Sequence, residues 1–143
     1  MTADIFAIAG SALDAQDSRM AAIASNLANA DSIAAPGQAP YKAREVIFQP
    51  MLNSPFESPI DAQTADAGVQ VAGTITSGAP AVQKYDPGNP LADSKGYVTG
   101  SNVSQVNEMV DLIDSSNSYA ASVAVMQSAS RVDQQILSSF QVA

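Results

Sequence analysis

Apolar residues recur at heptad spacing along the first thirty positions. Phe6, Leu13, Met20 and Leu27 stand seven apart, with Ala9, Ile23 and Ala30 three further on and Gln16 as the polar exception. Residues so spaced share one face of an α-helix, so the pattern predicts a helix from about Asp4 to Ala30 with a packing seam. At about 1.5 Å per residue this is a rod of ~40 Å, with Asp4, Asp14 and Asp17 mostly off the seam. A second helix is predicted from about Val103 to Gln141, where two stripes can be drawn. One runs Val106, Val110, Ile113, Asn117, Ala120, Ala124; the other runs Met109, Leu112, Tyr119, Val123, Met126. A helix apolar on two sides must bury both, and one partner helix covers only one. The second face needs another neighbour, which a polymer or a helix bundle inside a closed dimer would supply.

Between these ends the pattern changes. All 8 Pro and 7 of the 8 Gly lie from Pro36 to Gly100, which divides the chain into an N-terminal helix (1–35), a Pro/Gly-rich middle (36–100) and a C-terminal helix (101–143). Short alternating runs at Val46-Ile47-Phe48, Val69 to Ile75 and Ala81 to Tyr85 predict a small antiparallel β-hairpin. Pro50 to Gly68 reads as an extended or disordered loop, being rich in Pro and in small or acidic residues. Asp86-Pro87-Gly88-Asn89-Pro90 reads as a rigid turn, in which two prolines set φ and Gly88 supplies a positive φ. The expected fold is therefore mainly α with a small β part: long terminal helices paired as a coiled-coil-like hairpin, and a middle segment with a short antiparallel hairpin and extended loops.

Composition changes this picture in one respect. Of the 46% of residues that are hydrophobic, 26 residues are Ala, while Phe and Tyr number 4 each and Trp is absent. Alanine favours helix and close backbone approach but buries little area, so a lone monomer has a thin core and is marginal without partners. The net charge of −8 argues against nucleic acid and anionic lipid as partners, since phosphate neutralisation needs clustered Lys and Arg. The first residues carry no base before Arg19 and no sustained apolar run, which does not read as a cleavable secretory signal. No uncharged stretch is apolar enough to span a bilayer.

Candidate chemistry is sparse. The chain has no Cys and no His, which removes disulfides, thiolate sites and the commonest acid–base residue. Glu108, Asp111 and Asp114 can share one helix face, but no His or Cys completes a metal or acid–base site, and a solvated face or a charge pair to a neighbouring subunit accounts for them better. The same holds for Asp14 and Asp17 near Arg19. No glycine-rich phosphate loop is present, and the many serines lack an activating His. No catalytic, cofactor-binding or metal-binding residue is expected.

Two groups of residues carry a family resemblance. Ser25-Asn26-Leu27-Ala28-Asn29-Ala30-Asp31-Ser32 resembles the Asn-Leu-Ala-Asn signature near the N-terminus of flagellar rod and hook proteins. Physically, Asn26 and Asn29, late in a helix, can cap carbonyls or pair across subunits while Leu27 keeps the seam. Val82 to Val98, with Asp86, Pro87, Gly88, Asn89, Pro90 and Leu91 at its centre, is similar to a segment of proximal-rod proteins of that family. So are Pro40-Tyr41-Lys42-Ala43-Arg44 with Val46 and Phe48, and Asn102-Val103 followed by Glu108-Met109-Val110-Asp111 and Tyr119. Together they cover most of the chain outside the 50–67 loop.

The resemblance implies a structural subunit of the bacterial flagellar basal-body rod, in the periplasm, exported unfolded by the flagellar type III apparatus. Its implied partners are copies of itself, other proximal- and distal-rod proteins and the membrane-ring adaptor, with no nucleic acid, no lipid and no cofactor. The expected packing positions are Phe6, Leu13, Met20, Ile23 and Leu27, with Val106, Val110, Ile113 and Val123 as their partners and Tyr119 beside them. Gln16 suggests a polar contact at its level of the seam. The alternatives are another short axial protein, separated by the Asp86 to Val98 segment, and a soluble helical adaptor or export chaperone, which would fold as a discrete closed oligomer.

Overall fold

In the computed structural model, residues 2–51 and 68–141 are described. Helix α1 (Thr2–Ala28) is followed by β1 (Ile33–Ala34), β2 (Arg44–Met51), β3 (Gly68–Thr76), β4 (Val82–Tyr85), β5 (Tyr97–Gly100) and helix α2 (Gln105–Gln141). Both helices fall where helix breakers are rare. Ser104 caps α2: its carbonyl accepts the Glu108 backbone N–H at 3.0 Å and its hydroxyl accepts that of Asn107 at 3.5 Å.

The two helices run antiparallel, with Asn26 beside Glu108, Arg19 beside Asp111 and Asp114, and Ile8, Ala9 and Ala12 sharing a groove with Ser122 and Val125. By this register α2 continues past the start of α1 by roughly nine residues, or ~13 Å.

Two separate sheets lie beside the helix pair. β2 and β3 form a two-stranded antiparallel ribbon, with a bulge between Ile47 and Phe48, that packs on α1. In the two-stranded ribbon Pro50, opposite Val69, is tolerated because one side of the strand has no ladder to complete. Ser11 ties the ribbon to α1, accepting the Val69 N–H at 3.1 Å while donating to the Ile8 carbonyl at 2.8 Å. The second sheet has the order β1-β5-β4, all antiparallel.

The expected hairpin is thus the β2–β3 ribbon, and the Ala81 to Tyr85 run does not join it. β4 pairs instead with β5, a strand not anticipated, whose Tyr-Val-Thr sequence suits a strand. Of the loop expected from Pro50 to Gly68, both ends are strand; its interior, residues 52–67, lies outside the described residues.

The core is thin. Among the described residues, the buried apolar side chains are Ala9, Ala15, Ile23, Ala43 and Val98. Much of the order comes from hydrogen bonds between elements, as where Asn102 Oδ1 accepts the Ala43 N–H at 2.7 Å and its Nδ2 donates to the Ala79 carbonyl at 3.0 Å.

Candidate assembly interface

Asn26 joins three elements. Its side chain is 1% exposed and uses its full hydrogen-bonding capacity. Nδ2 donates to the Arg44 carbonyl at 2.9 Å and to Glu108 Oε1 at 3.1 Å; Oδ1 accepts the Arg44 N–H at 2.8 Å and the Tyr41 hydroxyl at 3.1 Å. One amide therefore ties the end of α1 to the start of β2 and the first turn of α2. Asn29 has a local role: its Nδ2 donates to the Ser25 carbonyl at 2.8 Å and so closes the helix end. Leu27 is half-buried and Ala28 exposed.

Glu108 lines the groove between α1, β2 and α2, and burial raises its pKa above the ordinary 4.5; the Asn26 hydrogen bond opposes this, and the charges of Asp111 and Glu45 add to it. Asp111 and Asp114 share one cation of the same chain. Arg19 reaches both, Nη2 to Asp111 Oδ1 at 3.2 Å and Nη1 to Asp114 Oδ2 at 3.6 Å. The acidic face expected to be solvated or paired across subunits is thus partly paired within the chain. Among the described residues no group of three His, Cys, Asp or Glu is placed to hold a metal ion.

On α1, Ile23 is buried and Phe6, Leu13, Met20 and Leu27 are half-buried. Three of their four expected partners on α2 are largely exposed. Val106 is 71% exposed, Val110 60% and Ile113 62%, while Tyr119 is exposed and Val123 half-buried. The residues of α2 beside α1 include Glu108, Asp111, Asp114, Ser122 and Val125, and Ser115 is fully buried.

The exposure of this row has a simple geometric cause. At about 100° per residue, Val106, Val110 and Ile113 lie about 140–180° around the helix from Ser115. The intrachain seam mixes short and charged side chains with Ile5, Ile8 and Val125, and the row Val106, Val110 and Ile113 is left on the outside. The seam is not fully satisfied: Gln16 Oε1 and Ser115 Oγ are buried without a hydrogen-bond partner, so the contact expected of Gln16 is not made by its carbonyl oxygen.

The Asp86 to Leu91 turn connects β4 to β5. Asn89 Oδ1 accepts the Leu91 N–H at 3.0 Å, and the Asp86 N–H donates to the Gly96 carbonyl at 2.9 Å. Gly88 does not have the positive φ expected of it; Gly96 does, at 81°. A Cβ on Gly96 would also stand 3.0 Å from Tyr85 Cε2 and 3.2 Å from Pro87 Cβ. The loop closes on Asp93, whose Oδ1 accepts the N–H groups of Lys95 at 2.8 Å and Tyr97 at 2.9 Å; these bonds, the Tyr97 one foremost, lower its pKa. Beside it the Tyr85 and Tyr97 rings meet edge to face, 5.2 Å between centroids.

Comparison with known proteins agrees with this architecture. Residues 6–32 match the family model described as flagella basal body rod protein, and residues 94–139 match that of the flagellar basal body rod FlgEFG protein C-terminal region. The chain is 48% identical over 125 residues to the flagellar basal-body rod protein FlgC of Salmonella typhimurium, with 86% of each chain covered. It is 50% identical over 123 residues to FlgC of Escherichia coli O6:H1, again with 86% of each covered. To FlgC of Borreliella burgdorferi it is 36% identical over 130 residues, covering 85% of this chain and 86% of the relative. The chain therefore belongs to the FlgC family of flagellar basal-body rod proteins, structural subunits of the flagellar basal body.

Proposed function

We propose that the chain is a proximal-rod subunit that assembles helically with copies of itself and with other rod proteins, and that the assembly transmits torque as a drive shaft. The observation that carries this is the bulky apolar row Val106, Val110 and Ile113, on the side of α2 facing away from α1. Fully burying a Val or Ile side chain stabilises by about 1.5–3 kcal/mol, so an uncovered row of three is a substantial drive to associate. The thin core points the same way: a chain with five buried apolar residues among those described gains its remaining burial from neighbours.

The subunit does no chemistry; the groove around Glu108 is braced by Arg19 and Asn26 and offers no nucleophile beside a base. Export through the flagellar type III apparatus and residence in the periplasmic part of the basal body complete the reading. Its test is replacement of the chromosomal gene by an Ile113→Asp variant in the bacterium that encodes it. The expected result is loss of swimming and loss of the chain from isolated basal bodies; normal motility with normal incorporation would overturn it.

A further inference from the structure

The outer faces of the two helices are complementary to each other, and at the level at which they already lie. α1 exposes Ala28, Ala24, Ala21 and Asp17 along its outer side, and Asp14, also exposed, at the edge of the groove beside the β2–β3 ribbon. α2 exposes Val106, Val110, Ile113, Asn117 and Ala120 along its own. Read in opposite chain directions both rows step by four, three, four and three residues. With the helices antiparallel in the register of the intrachain pair, Val106 meets Ala28, Val110 meets Ala24, Ile113 meets Ala21, and Ala120 meets Asp14. Asn117, the polar break in the α2 row, meets Asp17, the first carboxylate of the α1 row.

Three bulky side chains then face three methyl groups, which lets the axes come close, and an amide N–H faces a carboxylate. The alternative of α1 against α1 sets Asp14 and Asp17 against their like.

We infer that α2 of one subunit docks by its Val106–Ile113 row onto the Ala21–Ala28 face of α1 of a second copy of this chain, repeating between subunits the antiparallel register found within one. The inference rests on the rod-subunit reading and specifies its contact. Each subunit offers one face and receives on the other, so the contact is head to tail, and if its rotation does not close it generates an open helix. The seam inside the chain and the seam between chains differ in chemistry: the first includes the Arg19 ion pairs beside its apolar contacts, the second sets branched aliphatics on alanine.

The absence of native Cys makes the test clean. Within one subunit Ala24 and Val110 lie on opposite outer sides of the helix pair, about 13 Å or more apart, too far for a disulfide. An Ala24→Cys, Val110→Cys double variant, both at exposed positions, is expressed in place of the native chain, basal bodies are isolated, oxidised and run on a non-reducing denaturing gel. The expected result is a ladder at multiples of 14.7 kDa, collapsing on reduction, with neither single variant giving one. Dimers from Val110→Cys alone, adducts only with a rod protein of different mass, or no adduct from basal bodies that contain the chain would each overturn the inference while leaving the rod reading intact. Absence of the native chain from basal bodies would overturn the rod reading itself.

Discussion

Asn26 shows how a single polar side chain can organise a molecule with little core. Its four hydrogen bonds replace what a large apolar residue would otherwise do at a three-element junction, and they do so directionally, aligning the α1 end with the β2 backbone. An Asn26→Leu variant leaves the Arg44 N–H and C=O without partners, and each unsatisfied buried group costs about 1–3 kcal/mol. The expected loss is ~3 kcal/mol in urea denaturation, with α2 helicity retained by circular dichroism.

Glu108 gives a pH-dependent counterpart. Its folded-state pKa is raised, so the folded chain holds the proton more tightly than the unfolded one, and the charged form is disfavoured at neutral pH. Its contribution therefore improves as pH falls through the raised value and levels off below the ordinary 4.5. Glu108→Gln, whose side-chain carbonyl can still accept from Asn26, is expected to be more stable than the native chain at pH 7 and indistinguishable from it near pH 4. Denaturation midpoints at the two pH values check this; a stabilisation that persists unchanged at pH 4 would sink it.

At the scale of elements, the β4–β5 connection separates two glycines that look alike in the sequence. Gly96 has φ at 81° and a crowded Cβ position, whereas Gly88 lies outside the left-handed region with only Asp86 Oδ1 at 3.9 Å. An L-residue in the left-handed region costs about 1–2 kcal/mol before any clash. Gly96→Ala should thus lower stability by ~2 kcal/mol or more, and Gly88→Ala should stay within ~0.5 kcal/mol of native, which parallel thermal melts would show.

The same loop holds Asp93 with its pKa lowered, so its stabilising contribution is present above the ordinary 3.8 and is lost as pH falls through the depressed value. Exchange protection of the Lys95 and Tyr97 amides, measured at pH 6 and pH 3, is expected to fall with it.

At the scale of the whole molecule, the proposed assembly assigns folding and association to different residues. Ile113 is 62% exposed in the single chain, so Ile113→Asp should leave its denaturation midpoint nearly unchanged, within ~0.5 kcal/mol, while preventing incorporation into the rod. Leu27 is half-buried, and Leu27→Asp should lower the stability of the isolated chain as well, by ~2 kcal/mol. Size exclusion and urea titration of the two purified variants separate the roles: equal losses in both would mean that no such division exists.

What the sequence alone determined is the arrangement that depends on local rules. All the prolines and all the glycines but Gly10 lie in the middle, where they break helices, so the two terminal helices could be placed to within a few residues from the breakers and the heptad spacing. The apolar runs of β2 and β3 revealed the ribbon for the same reason. The excess of apolar stripe on α2 over what one partner could cover also followed from periodicity.

Tertiary structure decided which face goes where. Hydrophobicity pointed to Val106, Val110 and Ile113 as the partners of α1, but the intrachain seam holds the Arg19 ion pairs at one level and Ile5, Ile8, Ala9 and Ala12 against Ser122 and Val125 at another. Hydrophobic periodicity does not identify the seam members that are serines and carboxylates, since those residues are equally at home in water. Asn26 as a junction, Gly96 in place of Gly88, and β5 as the partner of β4 were likewise set by contacts between residues distant in the chain. The heptad reading located two apolar faces; only the packed helices show that Leu112, Val123 and Met126 are half-buried within the chain while Val106, Val110 and Ile113 stay exposed.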